Sequence, residues 1–342
     1  GAVPRDLGTA QQQVAIALVK EADHADKAIR SEALKAIGKL GIQDLAPQVY
    51  TKLKTDPSQE VKVEALHALV AMDAPNLSEA ISFAMRDVSE QVRVAGLGLI
   101  SQTSLPNDQK VPLLMEILTK RTLAEQQKAL LTLGSLPGSK ESPVWTSILA
   151  DFSAGKLPAG TWVELEEAIM ATEDSKLKST YDKLLTEKSG GEPWRAYAGA
   201  LAEGDVRKGR SIFFQNQTAQ CIRCHAYSDM GGNAGPALDT IGKTLSREEL
   251  LIALVEPSKR LAPGYGTINL TLAGGEKVTG LLLEDSSTKF RIQVGTALRE
   301  IPKSEVTNSS IAPSSMPPMG TLLSKRELRD LVSYLVTLNR SE

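Results

Sequence analysis

From about residue 10 to residue 137, apolar positions return at helical spacing, and the pattern itself returns after just over thirty residues. Ile29, Ser31, Glu32, Ala33, Leu34 and Ile37 fall in register with Val61, Val63, Glu64, Ala65, Leu66 and Leu69. A third copy carries Val92, Val94, Ala95, Gly96, Leu97 and Ile100, and a looser fourth has Gln126, Lys128, Ala129, Leu130, Leu131 and Gly134. Apolar residues at i, i+3, i+4 and i+8 around Leu34, Leu66, Leu97 and Leu131 describe one buried face per helix. Partner helices are expected over 45–53, 77–85 and 111–118, so each unit reads as a helical hairpin. Such hairpins bury their faces only against neighbours, which predicts a curved stack with one side free for contact. Residues 142–186 continue as helices of less regular spacing.

The helical pattern lapses at Ser189, Gly190 and Gly191, and a new unit starts around Trp194. Asp205 is placed to cap a helix through Arg207, Gly209, Phe213 and Phe214. A further helix is expected over 246–255. The last helix announces itself by a capping box, Ser324 with Glu327, ahead of Leu328, Leu331, Val332, Tyr334 and Leu335. Between 264 and 308 the period changes to two: Ile268, Leu270 and Leu272; Val278, Leu281 and Leu283; Phe290, Ile292 and Val294; Leu298 and Ile301. Gly274–Gly275, 285–287 and Gly295 separate these runs, which predicts a small antiparallel meander or barrel. The fold class expected is mainly α, with a helical repeat domain over 1–188 and a second domain over 194–342 that holds the β insert.

Chemistry enters at Cys221, Ile222, Arg223, Cys224 and His225, which contain both cysteines of the chain. CxxCH is the pattern by which a polypeptide captures haem: two thiols add to the vinyl groups and the adjacent imidazole ligates the iron. A thioredoxin-like CxxC needs a strand before it, and Ile212, Phe213 and Phe214 follow a helical, charged stretch instead. Structural zinc needs four N/S ligands, and the other two histidines, His24 and His67, lie far upstream. His67 is expected to be a partly buried core residue beside Leu66 and Leu69, and His24 a surface residue. For the sixth ligand a thioether is the natural partner of low-spin haem iron, and seven methionines are present. Met230 stands too close to His225 to reach its far side, which leaves Met316, Met319 or a five-coordinate site. The glycines around 231–235 lack the spacing of a phosphate-binding loop.

Two family resemblances follow. The hairpins resemble HEAT repeats, in which an acidic or amide, an aliphatic and a basic residue open the second helix, as do Glu60, Val61, Lys62 and Gln91, Val92, Arg93. Residues 203–339 resemble the c-type cytochrome haem-binding domain of planctomycete and verrucomicrobial type. The matching pieces are CxxCH, Gly235-Pro236-Ala237-Leu238 like a GPxL loop, and Glu256-Pro257-Ser258 up to Pro263-Gly264-Tyr265 ahead of the strands. Met316-Pro317 with Gly320 is similar to an MPxxG segment, and Glu327 to Leu331 to the closing LRDL-like helix. The resemblance implies a class I-like cytochrome c domain whose first and last helices cross at Gly209, Phe213 and Tyr334. It implies haem c held by Cys221 and Cys224, with Pro236 accepting a hydrogen bond from the His225 ring, and Met316 as axial ligand with Met319 as the alternative.

The function so implied is single-electron transfer rather than catalysis. The donor would be a periplasmic sugar or alcohol dehydrogenase, of which this chain could be a module, and the acceptor a cytochrome or oxidase. The repeats would serve as scaffold or docking surface. A peroxidase-like haem enzyme and a haem-based gas sensor remain alternatives.

Composition narrows the setting. With 39 Lys+Arg against 41 Asp+Glu and a formal charge of -2, no global basic field points to nucleic acid. No apolar run approaches the roughly 20 residues that span a bilayer. Haem attachment to CxxCH follows export, so a periplasmic or otherwise exported location is expected. Residues 1–5 do not resemble an export signal, which reads as a trimmed product or a fragment of a longer polypeptide.

Overall fold

The computed structural model describes residues 7–103, 105–136 and 143–339; residues 1–5 lie outside them. The chain is mainly helical with one small antiparallel sheet, and it divides into two compact units, Gly1–Tyr181 and Asp182–Glu342. No helix among the described residues is long and apolar enough to cross a membrane.

In the first unit the helices are α1 (Leu7–Ala22), α2 (Lys27–Leu40), α3 (Ala46–Thr55), α4 (Gln59–Ala71), α5 (Leu77–Ala84), α6 (Glu90–Leu99), α7 (Asn107–Lys120) and α8 (Leu123–Ser135). They are followed by α9 (Val144–Ser153), α10 (Trp162–Ala171) and the first half of α11 (Ser175–Ser189). The repeated positions are the core: Leu34, Leu66, Leu69 and Val92 are fully buried, and α2 packs on α4, α4 on α6, α6 on α8 and α8 on α10. Leu97 is buried, as is Leu130, which lines up with it more closely than the half-buried Leu131. His67 does not join them. Its side chain is 51 % exposed beside Glu64, because Ala65, Leu66, Ala68 and Leu69 already fill the buried arc of α4. His24 is exposed as expected, its Nδ1 accepting from the backbone N–H of Asp26.

The basic residues that open the second helices have a specific task. The Arg30 guanidinium clasps Asp56 in a fork at 2.8 and 3.0 Å, Lys62 reaches Asp87 at 2.8 Å, and Arg93 forks onto Glu125 at 2.8 and 3.1 Å. Asp56, Asp87 and Glu125 expose only 2–3 % of their side chains. Asp56 and Asp87 each also accept the N–H two residues on, so one carboxylate both shapes its turn and receives the cation of a neighbouring helix. Arg93, with Thr122, holds the Glu125 carboxyl below the usual carboxylate range. Its folded pKa is therefore depressed, and the stability it supplies is complete above about pH 4.3 and drains away as pH falls through the folded value. Arg93→Leu would strand this carboxylate and cost about 3–5 kcal/mol near neutrality. It should also flatten the loss of stability below pH 4.3, as read by urea unfolding of the helical circular dichroism between pH 3 and 6.

The second unit opens with a 3-10 helix, Pro193–Leu201, and contains α12 (Val206–Gln215), α13 (Cys221–Cys224), α14 (Ile241–Thr244), α15 (Arg247–Val255) and α16 (Lys325–Val336). Its helical core gathers Phe213, Leu250, Leu251, Leu254, Met319, Leu328, Leu331, Val332 and Leu335. Between α15 and α16 run β1 (Thr267–Leu272), β2 (Lys277–Asp285), β3 (Lys289–Val294), β4 (Ala297–Pro302) and β5 (Val306–Ile311). They form an antiparallel sheet of order β4-β3-β2-β1-β5 with its own small core of Ile268, Leu270, Val278, Leu282, Phe290, Ile292 and Ile301.

Three details of the strand reading change. Leu282 is the buried leucine of β2, between half-buried Leu281 and Leu283, and a register shift follows it between Leu282 and Glu284. Leu298 is 65 % exposed on the edge strand β4. The insert extends past 308 into a fifth strand, β5, whose residues are almost all exposed and which is fixed by pairing with β1.

Candidate functional site

The site is assembled on the crossing of α12 and α16. Asp205 caps α12 through its side chain, which accepts from the N–H groups of Arg207 and Lys208. Its own N–H donates to the buried carboxylate of Asp330 at 2.8 Å, while Gly204 N–H donates to Ser333 Oγ at 2.8 Å. Two turns of α16 thus hold the lead-in to α12. One turn further on, Gly209 lies so close to α16 that an added Cβ would overlap the carbonyl of Asp330 and stand 2.7 Å from Tyr334 Cβ. Phe213, Phe214, Tyr227 and Tyr334 fill the corner beside this crossing, with the Phe213 and Tyr334 rings 5.7 Å apart.

After α12 the chain turns sharply. Asn216 Oδ1 accepts from the N–H groups of Thr218 and Ala219, and Gln220 takes a left-handed conformation, φ 48°, that starts α13. Cys221 and Cys224 are the two ends of this single turn, so their thiols share one side of it. They form no disulfide with each other. Cys221 packs against the helical core, and burial pushes its thiol up to about 11; Cys224 is exposed. Near neutral pH the Cys221 sulfur is therefore an uncharged thiol.

His225 follows at the end of the turn, and its Nδ1 lies 2.8 Å from the carbonyl oxygen of Pro236. A carbonyl only accepts, so Nδ1 carries the proton and, in the neutral ring, Nε2 keeps a bare lone pair. The loop between these two residues is moulded to the turn. Gly232 and Gly235 donate to the carbonyls of Ile222 and Cys224, and Leu238 donates to Ala226. Gly235 lies against the imidazole, where a Cβ would come within 2.6 Å of Cε1. Gly231 takes φ 100°, a region that L side chains avoid. These glycines, whose spacing only excluded a phosphate-binding loop, are required by close approach to the turn and the ring.

The two late methionines differ. Met319 is 2 % exposed inside the helical core, and its carbonyl accepts from Leu322 and Leu323. Met316 is half-buried against the same core that Cys221, Ile222 and Leu238 adjoin. Its segment is tied down: Ser314 N–H donates to Ser258 Oγ at 3.0 Å, and Met316 N–H to Ser314 Oγ at 3.1 Å. Met230 is 52 % exposed. Among the described residues no three His, Cys, Asp or Glu side chains converge on a metal site. The turn itself thus offers two thiols and one oriented imidazole, and Met316 packs on the core that Cys221 adjoins.

Sequence reasoning missed Tyr197. It stands in the 3-10 helix that precedes α12, and its phenol reaches Gly320. Nothing in its own spacing marks it, since the contact spans 123 positions of chain. No protein-family model matches this chain, and no curated protein matches it.

Proposed function

We propose that this chain is a single-haem c-type cytochrome that transfers electrons, and that its second unit is a class I-like cytochrome c domain of the planctomycete and verrucomicrobial type. The observation that carries the reading is the hydrogen bond from His225 Nδ1 to the Pro236 carbonyl, made at the end of the turn that carries both thiols. That bond orients the ring and fixes its tautomer, leaving Nε2 as the nitrogen that keeps the lone pair, as a proximal iron ligand requires. Each thiol would add across a vinyl double bond, sulfur to one carbon and its proton to the other, with no oxidant consumed. Haem supplies a reversible Fe(II)/Fe(III) couple, and thioether ligation favours the reduced state.

The chain's own residues do the remaining work. His225 is held by Pro236 and Gly235, and Cys221 is presented from an apolar wall. Met316, on a segment tied down by Ser314 and Ser258, is the axial candidate, whereas Met319 serves as core packing. The first unit fits a HEAT-type stack, whose ladder of Arg30–Asp56, Lys62–Asp87 and Arg93–Glu125 pairs holds successive hairpins in register. Its role would be a scaffold or docking surface for a redox partner, with a periplasmic dehydrogenase as donor and a cytochrome or oxidase as acceptor.

The test is purification from a host that matures c-type cytochromes. One pigment per chain should stay with the polypeptide in acidified acetone, and the ferric spectrum should be low-spin with a thioether-to-iron band. Met316→Ala should abolish that band. Met319→Ala should keep it and lower stability by about 2–5 kcal/mol, the usual range for emptying a buried methionine site. A colourless chain, or high-spin iron in the parent, would overturn the reading.

A further inference from the structure

The methionine segment is enclosed by a ring of contacts that begins outside the region of the chain resembling a cytochrome. The 3-10 helix Pro193–Leu201 lies before α12, where the sequence reads as the start of a new unit. It is bonded to the segment after α15 at two points: Trp194 N–H donates to Glu256 Oε1 at 2.9 Å, and Lys259 bridges Glu192 at 2.7 Å and Glu256 at 3.5 Å. That second segment carries Ser258, whose hydroxyl receives the N–H of Ser314, two residues before Met316. The far end of the methionine segment returns to the 3-10 helix through Tyr197. The phenol donates to the Gly320 carbonyl at 3.4 Å. A Cβ on Gly320 would sit 2.6 Å from Tyr197 Cζ and from its hydroxyl, and the three nearest atoms it would meet all belong to Tyr197. Lys325 stands over the same ring at 5.4 Å.

From this enclosure we infer that Tyr197 is a positioning residue for the axial methionine: its ring closes the loop 316–320 from outside and keeps the Met316 sulfur at the iron. The inference rests on the haem reading proposed above. The ring contact matters more than the phenol, because at 3.4 Å the hydrogen bond is long and weak. A thioether is a weak, neutral ligand, so the time it spends on the metal depends on how firmly the protein holds its loop. The 3-10 helix therefore acts as a strap, and a segment that precedes the cytochrome-like stretch sets the ligand field.

The test uses the full chain, matured with haem, and reads the thioether-to-iron band, the midpoint potential and the rate at which imidazole enters the ferric iron. Tyr197→Ala should weaken the band and lower the potential. It should also speed imidazole entry roughly five- to tenfold, the factor that corresponds to one lost aromatic contact. Tyr197→Phe should behave as the parent. Gly320→Ala should reproduce the Tyr197→Ala spectrum, since its new methyl displaces the ring, and should add almost nothing in the Tyr197→Ala background. That lack of additivity is a signature that general destabilisation does not produce. Parent-like band, potential and imidazole rate in Tyr197→Ala would overturn the inference while the haem reading stood. A parent that binds no haem covalently would remove both.

Discussion

With Cys221→Ser and Cys224→Ser together, the chain is expected to fold and yet lose every trace of pigment that survives acidified acetone. Serine matches cysteine in shape, and neither sulfur serves as a structural crosslink, so the helical circular dichroism should stay as in the parent. What disappears is the nucleophile. The half-buried Cys221 faces the helical core as an uncharged thiol, whereas Cys224 stands exposed at the other end of the turn. The single variants should therefore differ: Cys224→Ser should keep one thioether, formed at the wall of the core, and remain partly coloured after extraction. Mass spectrometry of the intact chain reads the outcome directly. Full retention of pigment in the double variant would mean that the turn is not the attachment site.

Gly209→Ala is expected to destabilise the second unit strongly, the reverse of what a methyl usually does inside a helix. Alanine ordinarily stabilises a helix interior by about 0.5–1 kcal/mol relative to glycine. Here the methyl would overlap the carbonyl of Asp330, and a backbone oxygen within a helix cannot rotate away. The helices must part, which costs about 3 kcal/mol, the upper part of the range for overpacking. Parting them would also loosen the hydrogen bonds from Gly204 and Asp205 to α16 and the aromatic corner next to the CxxCH turn. Gly98→Ala is the matched control, because its methyl would meet only the tip of the flexible Lys128 side chain. Urea unfolding followed in the near-ultraviolet should show a lowered midpoint for Gly209→Ala and little change for Gly98→Ala.

How far the chain could be read in advance depended on whether its signals were local. The Asp205 cap and the Ser324–Glu327 box lie within four residues of the bonds they make, and both form. The repeat register rested on Leu34, Leu66 and Leu97, and these are buried. The His225 to Pro236 bond was expected from a motif and is present at 2.8 Å. Period-two reading faltered at Leu281-Leu282-Leu283, because three consecutive leucines carry no phase of their own; the buried phase runs Val278, Gly280, Leu282, and the glycine in it offers no apolar side chain to read. Strand β5 escaped because Val306-Thr307-Asn308-Ser309-Ser310-Ile311 buries almost nothing; its position comes from hydrogen bonds to β1, and backbone pairing leaves no mark in side-chain pattern. His67 was misplaced for a related reason: periodicity gives the direction of a helix face but not the width of its buried arc. Tyr197 and the Asp330 carboxylate on Asp205 depend on contacts between distant parts of the chain.

The strand order of the insert has one more consequence. Because β5 comes back to lie beside β1, Ala312 N–H reaches the carbonyl of Thr267 at 2.8 Å, and the polypeptide leaves the sheet through the same doorway by which it came in. Forty-odd residues are thereby hung from the helical body like a pendant on a two-stranded cord. Its length and decoration can change without altering the gap between the stem that precedes it and the methionine segment that follows.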